Sequence, residues 1–155
     1  MVTSEDIEGC LRDLFRGTLS FLTRNLRRVQ REKGFNSIGD LEVPLAAQEE
    51  LVVNMLQHRD YFITAPLRVM LFDNRVELIS PGALLNNLTI ENIRYGISVI
   101  RNPIITSFAT KGNELPYRGG GTGILRALNS VPTLELESDH QRNLFTARIP
   151  RLTEI

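Results

Sequence analysis

The sequence lacks the features that mark several large classes of protein. Its single cysteine, Cys10, excludes a disulfide framework and a cysteine-rich zinc site. Eighteen basic and eighteen acidic residues cancel, so no overall field draws the chain to nucleic acid. No run approaches the ~20 apolar residues of a membrane span, and residues 1–6 are polar and acidic, unlike a signal peptide. The simplest compartment is therefore the cytoplasm.

What is present is an ordinary globular composition, with 42% hydrophobic and 23% charged residues. The pattern divides the chain into residues 1–43, an N-terminal helix and linker, and residues 44–151, an α/β body. Apolar positions at helical spacing predict a helix over residues 5–31, whose basic end at residues 24–33 we interpret as a solvated face. We expect four of its leucines to be buried against the body or a second copy of the chain: Leu11, Leu14, Leu22 and Leu26.

The segment after Pro44 carries the first chemical signal. It predicts an amphipathic helix in which Glu50 and Asn54, four positions apart, point to the same side. A carboxylate that orients water, beside an amide that holds a hydrated metal, is what phosphate-ester hydrolysis needs. The same spacing also occurs on many solvated helix faces, so the interpretation depends on the rest of the chain.

Beyond Tyr61 the apolar residues change from helical to strand period. Residues 67–72 and 76–79 are β-prone, and Asp73-Asn74 between them predicts an antiparallel hairpin packed against the preceding helix. The other elements expected are helices opening at Thr89, Pro103 and Gly123, and strands over residues 133–137 and 144–149.

A second chemical signal is the run Arg118-Gly119-Gly120-Gly121-Thr122-Gly123, which directly precedes a helical stretch. Glycines let backbone N–H groups approach an anion, and a helix N-terminus adds its dipole. The run lacks the Gly-Lys-Ser/Thr of a P-loop and the spacing of a dinucleotide fingerprint. Taken alone, it is more typical of a flexible loop than of a phosphate cradle.

Several segments occur in an order that is more specific than any one of them. They are Glu50 to Asn54 with His58-Arg59-Asp60-Tyr61, residues 67–82 ending in Ser80-Pro81-Gly82, Arg101-Asn102-Pro103, Gly121-Thr122-Gly123-Ile124, and residues 145–151. In this order they resemble the bacterial RecG-like helicase C-terminal domains, or divergent ATPase-type transcriptional regulators. That family belongs to the histidine-kinase, gyrase, Hsp90 and MutL type of ATPase, and the similarity spans about residues 44–151.

The resemblance implies a histidine-kinase-like ATPase fold. This is a two-layer α/β (α+β) sandwich, with a mixed, mainly antiparallel sheet of about four or five strands and helices on one face. It implies ATP and Mg²⁺ as cofactors, with Glu50 as the water-activating base and Asn54 as the magnesium ligand. The nucleotide contacts it implies are Ser80, Gly82, Gly119, Gly120, Gly121, Thr122 and Gly123. Ser80 departs from the wider ATPase pattern, in which an Asp accepts a hydrogen bond from the adenine amino group.

Three functions remain open. The leading one is ATP binding, with possible ATPase activity, in a bacterial transcriptional regulator that contacts DNA through an N-terminal domain absent from this chain. The chain would then be a fragment or a partner-dependent half. The second is a degenerate scaffold or homodimerisation module that binds no nucleotide, which Ser80 favours. The third is direct nucleic-acid binding through residues 24–33, which the zero net charge disfavours. None of them involves a membrane.

Overall fold

A computed structural model describes residues 4–30, 39–112, 115 and 122–151 of the chain. Its helices are α1 (Leu11–Asn25), α2 (Leu45–His58), α3 (Ile90–Arg94), α4 (Pro103–Lys111) and α5 (Gly123–Ser130). Its strands are β1 (Arg28–Val29), β2 (Asp40–Leu41), β3 (Arg68–Leu71), β4 (Arg75–Pro81), β5 (Glu135–Asp139) and β6 (Leu144–Pro150). No helix in the described part of the chain is long and apolar enough to cross a membrane.

The main sheet has four strands in the order β3-β4-β6-β5, and each neighbouring pair is antiparallel. The predicted hairpin is confirmed: β3 and β4 flank Asp73-Asn74, and the Phe72 N–H donates to the Arg75 carbonyl at 2.8 Å. β1 and β2 form a separate two-stranded ribbon. The two-layer α+β architecture expected from the sequence is therefore present.

The two faces of the sheet differ in character because strand side chains alternate. Along β4, Val76, Leu78 and Ser80 are buried and lie on the side that α2 covers. Across the strand register they stand opposite three β6 residues, namely Ile149, Ala147 and Phe145. The other face carries an ion-pair network in which Glu77 accepts from both Arg75 and Arg148. One face is thus the core and the other is solvated.

Helix α2 lies at the centre of the domain, against β4, α1 and α5. It is more deeply buried than an amphipathic helix, because neighbours cover it on several sides. Its buried residues are Ala47, Gln48, Leu51, Val52, Val53, Met55, Leu56 and Gln57. Among its partly exposed positions, Glu50, Asn54 and His58 recur every four residues. They form one stripe along the helix.

The N-terminal helix is shorter than the predicted span of residues 5–31. α1 begins two residues after Gly9, whose φ of +132° interrupts a right-handed helix. It ends at Asn25, and the chain turns into β1 instead of continuing as a basic helix. The predicted burial is confirmed, since the four leucines belong to or pack against the core that α1 shares with α2: Leu22 and Leu26 buried, Leu11 and Leu14 partly buried.

A buried ion pair joins the N-terminal segment to the end of the sheet. Arg151 Nη2 lies 2.8 Å from Glu42 Oε1, and these side chains are only 7% and 2% exposed. The same carboxylate oxygen accepts from the Arg27 backbone N–H at 2.8 Å. Arg151 Nη1 also donates to the Phe72 carbonyl in the hairpin turn at 2.6 Å. Four segments that are distant in sequence therefore meet at one charged cluster.

Candidate functional site

A cleft opens beside α2, between this helix, the inner face of the sheet and the residues that follow β4. Its cavity volume is about 90 Å³, and its mouth is open to solvent. Most of its lining is apolar, as in pockets that hold small organic ligands, and includes Leu51, Leu78, Leu84, Ile93, Ile124 and Phe145. The α2 side chains that line it lie between Glu50 and His58: Glu50, Leu51, Val53, Asn54, Met55, Gln57 and His58.

At one end of the cleft, Glu50 lies against the start of α5. Its Oε1 accepts from Arg126 Nε at 2.5 Å, and Arg126 Nη1 donates to Thr122 Oγ1 at 2.5 Å. A Cβ added to Gly123 would lie 2.7 Å from Glu50 Oε2, closer than real Cβ atoms come. A glycine at position 123 therefore lets the carboxylate sit at a helix N-terminus, where the dipole favours negative charge.

Asn54 lies one turn further along α2 and also lines the cleft. Within the part of the chain that the structure describes, its side chain makes no hydrogen bond. The predicted shared face of Glu50 and Asn54 is therefore present. Thr122 and Gly123 lie beside Glu50, whereas Gly119, Gly120 and Gly121 fall outside the described residues.

The other end of the cleft carries two buried polar side chains, Ser80 and Gln57. Each is only 4% exposed. Neither Ser80 Oγ nor Gln57 Nε2 has a hydrogen-bond partner. Sequence reasoning singled out Ser80 but missed Gln57, although its position three residues after Asn54 places it on the same helix face. Two unpaired polar groups in an apolar cleft indicate a place for a polar ligand edge.

Asn102 joins the Arg101-Asn102-Pro103 segment to the end of α2. Its Nδ2 donates to the carbonyls of Gln57 and Arg59, at 2.8 and 2.7 Å. These carbonyls belong to the last turn of α2 and the residue after it, where intrahelical donors run out. The motif is thus a C-terminal cap supplied by a distant segment.

Gly82 lies where the end of β4 meets the end of α2. Its φ of +107° favours glycine, and an added Cβ would lie 2.9 Å from the Asp60 Cβ and 3.2 Å from the Arg101 Cζ. Arg101 forms an ion pair with Asp60 at 3.4 Å and donates to the Ala83 carbonyl. Asp60 itself donates its N–H to the Pro81 carbonyl at 2.8 Å. Gly82 therefore allows the ends of β4 and α2 to pack closely together beside the cleft.

His58 completes the stripe of α2 that faces the cleft. Burial of the imidazole lowers its pKa below the ordinary value of 6.5, and the nearby Arg101 charge lowers this pKa further. The ring is accordingly neutral at physiological pH. The cleft therefore has a cationic guanidinium at Arg101 but no second cation at position 58.

Comparisons with known proteins agree with this architecture. The family described as "Putative ATP-dependent DNA helicase recG C-terminal" matches residues 64–149, more than half of the chain. Ser80, Gly82, Thr122 and Gly123 lie inside the matched range, whereas α2 with Glu50 and Asn54 precedes it. No curated protein matches the chain.

A similar solved structure is the DIP2311 protein of Corynebacterium diphtheriae, with a TM-score of 0.73 and 19% sequence identity. The alignment covers 91% of this chain but 28% of the other, so this chain corresponds to about a quarter of that protein. At this identity the likeness shows a shared fold. The family match establishes that the chain belongs to the RecG C-terminal family and carries its ATPase-type domain.

Proposed function

We propose that the cleft binds ATP with Mg²⁺, and that the domain is the nucleotide-responsive part of a bacterial transcriptional regulator. The observation that carries this proposal is the Ser80 hydroxyl, which is buried at the cleft without a partner. An unpaired buried polar group costs about 1–3 kcal/mol, and the edge of a purine would satisfy it. The apolar lining suits the faces of the base.

The phosphates would lie at the opposite end, near the N-terminus of α5. Among the described residues there is no group of three or more His, Cys, Asp or Glu side chains that could hold a metal ion. A metal would therefore rely on the Asn54 amide oxygen, water and the phosphates, a donor set that suits Mg²⁺. Bound Mg²⁺ would neutralise charge on the phosphates.

Glu50 would orient the water that attacks the terminal phosphate. Its carboxylate is already paired with Arg126, whose buried Nη2 has no partner of its own. A phosphate oxygen would supply that partner, so the Arg126 side chain would bridge Glu50 and the ligand. DNA binding and regulation would depend on further domains and form part of the same proposal.

The test is a titration with MgATP followed by thermal unfolding. One-site binding at 100 times Kd should stabilise the fold by about 2.7 kcal/mol. Ser80→Asp should tighten ATP binding, because a carboxylate accepts from the adenine amino group more strongly than a hydroxyl does. Ser107→Asp, on the exposed side of α4, is the matched control. If neither wild type nor a folded Ser80→Asp variant binds MgATP at millimolar concentration, the proposal fails.

A scaffold or dimerisation function is the second candidate, and exposed apolar side chains favour it. Ile104 is 86% exposed and Phe108 43% exposed on α4. Three further exposed apolar residues precede them: Tyr95, Ile97 and Ile100. Sedimentation equilibrium should then show dimers that Ile104→Asp dissociates. A wild-type chain that stays monomeric at high concentration would remove this candidate.

A further inference from the structure

The base end of the cleft presents two neutral polar side chains, Gln57 and Ser80, and we infer that it accepts 6-oxopurine nucleotides as readily as adenine nucleotides. This inference rests on the proposed nucleotide function and specifies the class of base. Its basis is the pair Gln57 and Ser80, both buried, both lining the cleft, and each with an unpaired polar atom.

The two side chains belong to the same end of the cleft. The Asp60 N–H donates to the Pro81 carbonyl at 2.8 Å, which joins the end of α2 to the end of β4. Gln57 lies three residues before Asp60, and Ser80 directly precedes Pro81. Ser80 also faces Phe145 across the strand register, which gives this end an aromatic wall.

Gln57 and Ser80 can each donate or accept a hydrogen bond, so they do not select one purine edge over the other. An adenine edge offers a donor at the 6-amino group and an acceptor at N1, whereas a 6-oxopurine offers the reverse. A carboxylate only accepts, so opposite the 6-position it would select the amino group over the oxo group. The Ser80 hydroxyl both donates and accepts, and the Gln57 amide presents either its N–H₂ or its oxygen after a half-turn. In the structure the unpaired atom is Nε2, a donor that suits a 6-oxo group.

The charged side chains that line the cleft do not contribute to the choice of base. Glu50 is the sole acid among the described residues that line the cleft, and it lies seven positions before Gln57, about 10 Å along the helix. The Arg101 guanidinium is already engaged by Asp60 and the Ala83 carbonyl. Selection at the 6-position therefore depends on Gln57 and Ser80.

Calorimetric titration of the wild-type chain with MgATP and MgITP tests the inference, since the two bases differ at the 6-position and N1. The two dissociation constants should agree within about threefold, because neither base leaves a buried group unpaired. Gln57→Glu keeps the shape but can no longer donate to a 6-oxo group, so it should shift the ratio towards ATP by about tenfold or more. Ser80→Asp should shift it in the same direction. Gln141→Glu, in an exposed turn, adds the same charge and should leave the ratio unchanged.

Magnesium tripolyphosphate, which carries no base, shows whether the cleft contacts the base at all or binds only the phosphates. It should bind about tenfold more weakly than either nucleotide, because it leaves Gln57 and Ser80 unpaired. The inference is overturned if ATP binds more than tenfold tighter than ITP, if tripolyphosphate binds as tightly as ATP, or if folded Gln57→Glu and Ser80→Asp variants keep the wild-type ratio. ATP binding without ITP binding overturns this inference alone, whereas failure of both nucleotides to bind wild type and a folded Ser80→Asp variant overturns the proposed function as well.

Discussion

At the scale of single residues, the site depends on how closely Glu50 approaches the start of α5. Its carboxylate receives Arg126 on one oxygen, and its other oxygen occupies the space that a side chain at position 123 would fill. Gly123 thus has a steric reason to be glycine. That reason appears only when α2 and α5 are packed together.

Glu50→Gln should lower the rate of ATP hydrolysis by about 100-fold or more, because it removes the proposed base. MgATP affinity should change little, since the base acts mainly in the transition state. Glu49→Gln, one residue earlier and outside the cleft lining, is the matched control and should hydrolyse ATP like wild type. Hydrolysis by Glu50→Gln at the wild-type rate would contradict the assigned role.

Two glycines should respond differently to alanine. Gly123→Ala contacts only the end of the flexible Glu50 side chain, so stability should stay nearly unchanged while hydrolysis falls. Gly82→Ala meets the Asp60 backbone at a positive φ and should lower stability by about 1–3 kcal/mol. Urea unfolding and turnover measured on both variants check this pair. Equal losses of stability would contradict the geometry.

His58 should make stability depend on pH. The pKa of His58 is lower in the folded chain than its ordinary value of 6.5. Between the folded and the unfolded pKa, the unfolded chain therefore binds a proton at His58 that the folded chain does not bind. The free energy of unfolding should therefore fall as the pH drops below about 6.5. His58→Gln should flatten this slope between pH 7.5 and 5, while His140→Gln, in an exposed turn, should retain it. An unchanged slope in folded His58→Gln would contradict the assignment.

At the scale of elements, local signals predicted more than long-range ones. The Asp73-Asn74 turn, the Thr89 cap of α3 and Pro103 at the start of α4 were each identified from a few neighbouring residues. Thr89 Oγ1 does accept from the Asn92 N–H, at 3.1 Å. The start of α1 was predicted too early because apolar spacing does not register the backbone conformation at Gly9.

The parts of the site that sequence could not supply depend on distant contacts. Asn102 caps α2 from more than 40 residues away, which no local pattern encodes. Spacing alone placed Glu50 and Asn54 on one face, but it could not show that α1 and α5 bury the remaining sides of α2. Gln57 was consequently assigned no role, although its side chain faces the cleft beside Ser80.

At the scale of the whole molecule, the N-terminal segment and the body share one core and one buried ion pair. Arg151, directly after β6, donates to the Glu42 carboxylate just before α2 and to the Phe72 carbonyl in the hairpin turn. The chain aligns with 28% of the length of the C. diphtheriae protein, and its α4 carries exposed apolar side chains at Ile104 and Phe108. We propose that residues 44–151 carry the nucleotide site, with residues 1–43 as its N-terminal support.

Removing one partner of the buried pair should be costly. Arg151→Met leaves the Glu42 carboxylate buried without its cation, so unfolding in urea should show a loss of about 3–5 kcal/mol. The double variant Glu42→Leu with Arg151→Met should recover much of that loss, because no charge remains uncompensated. Arg142→Met, whose side chain is 81% exposed, is the control and should change stability little. A double variant as unstable as Arg151→Met alone would contradict this account.

The central claim is that one nucleotide spans the cleft from Gln57 and Ser80 to Gly123. Nuclear magnetic resonance on the ¹⁵N-labelled chain, titrated with magnesium and a non-hydrolysable ATP analogue, tests it most directly. The account predicts saturable shifts of the Gln57 side-chain NH₂ and of the Ser80 and Gly123 backbone amides, all with one dissociation constant. An absence of shifts at millimolar ligand, or shifts confined to the exposed face of α4, would contradict it.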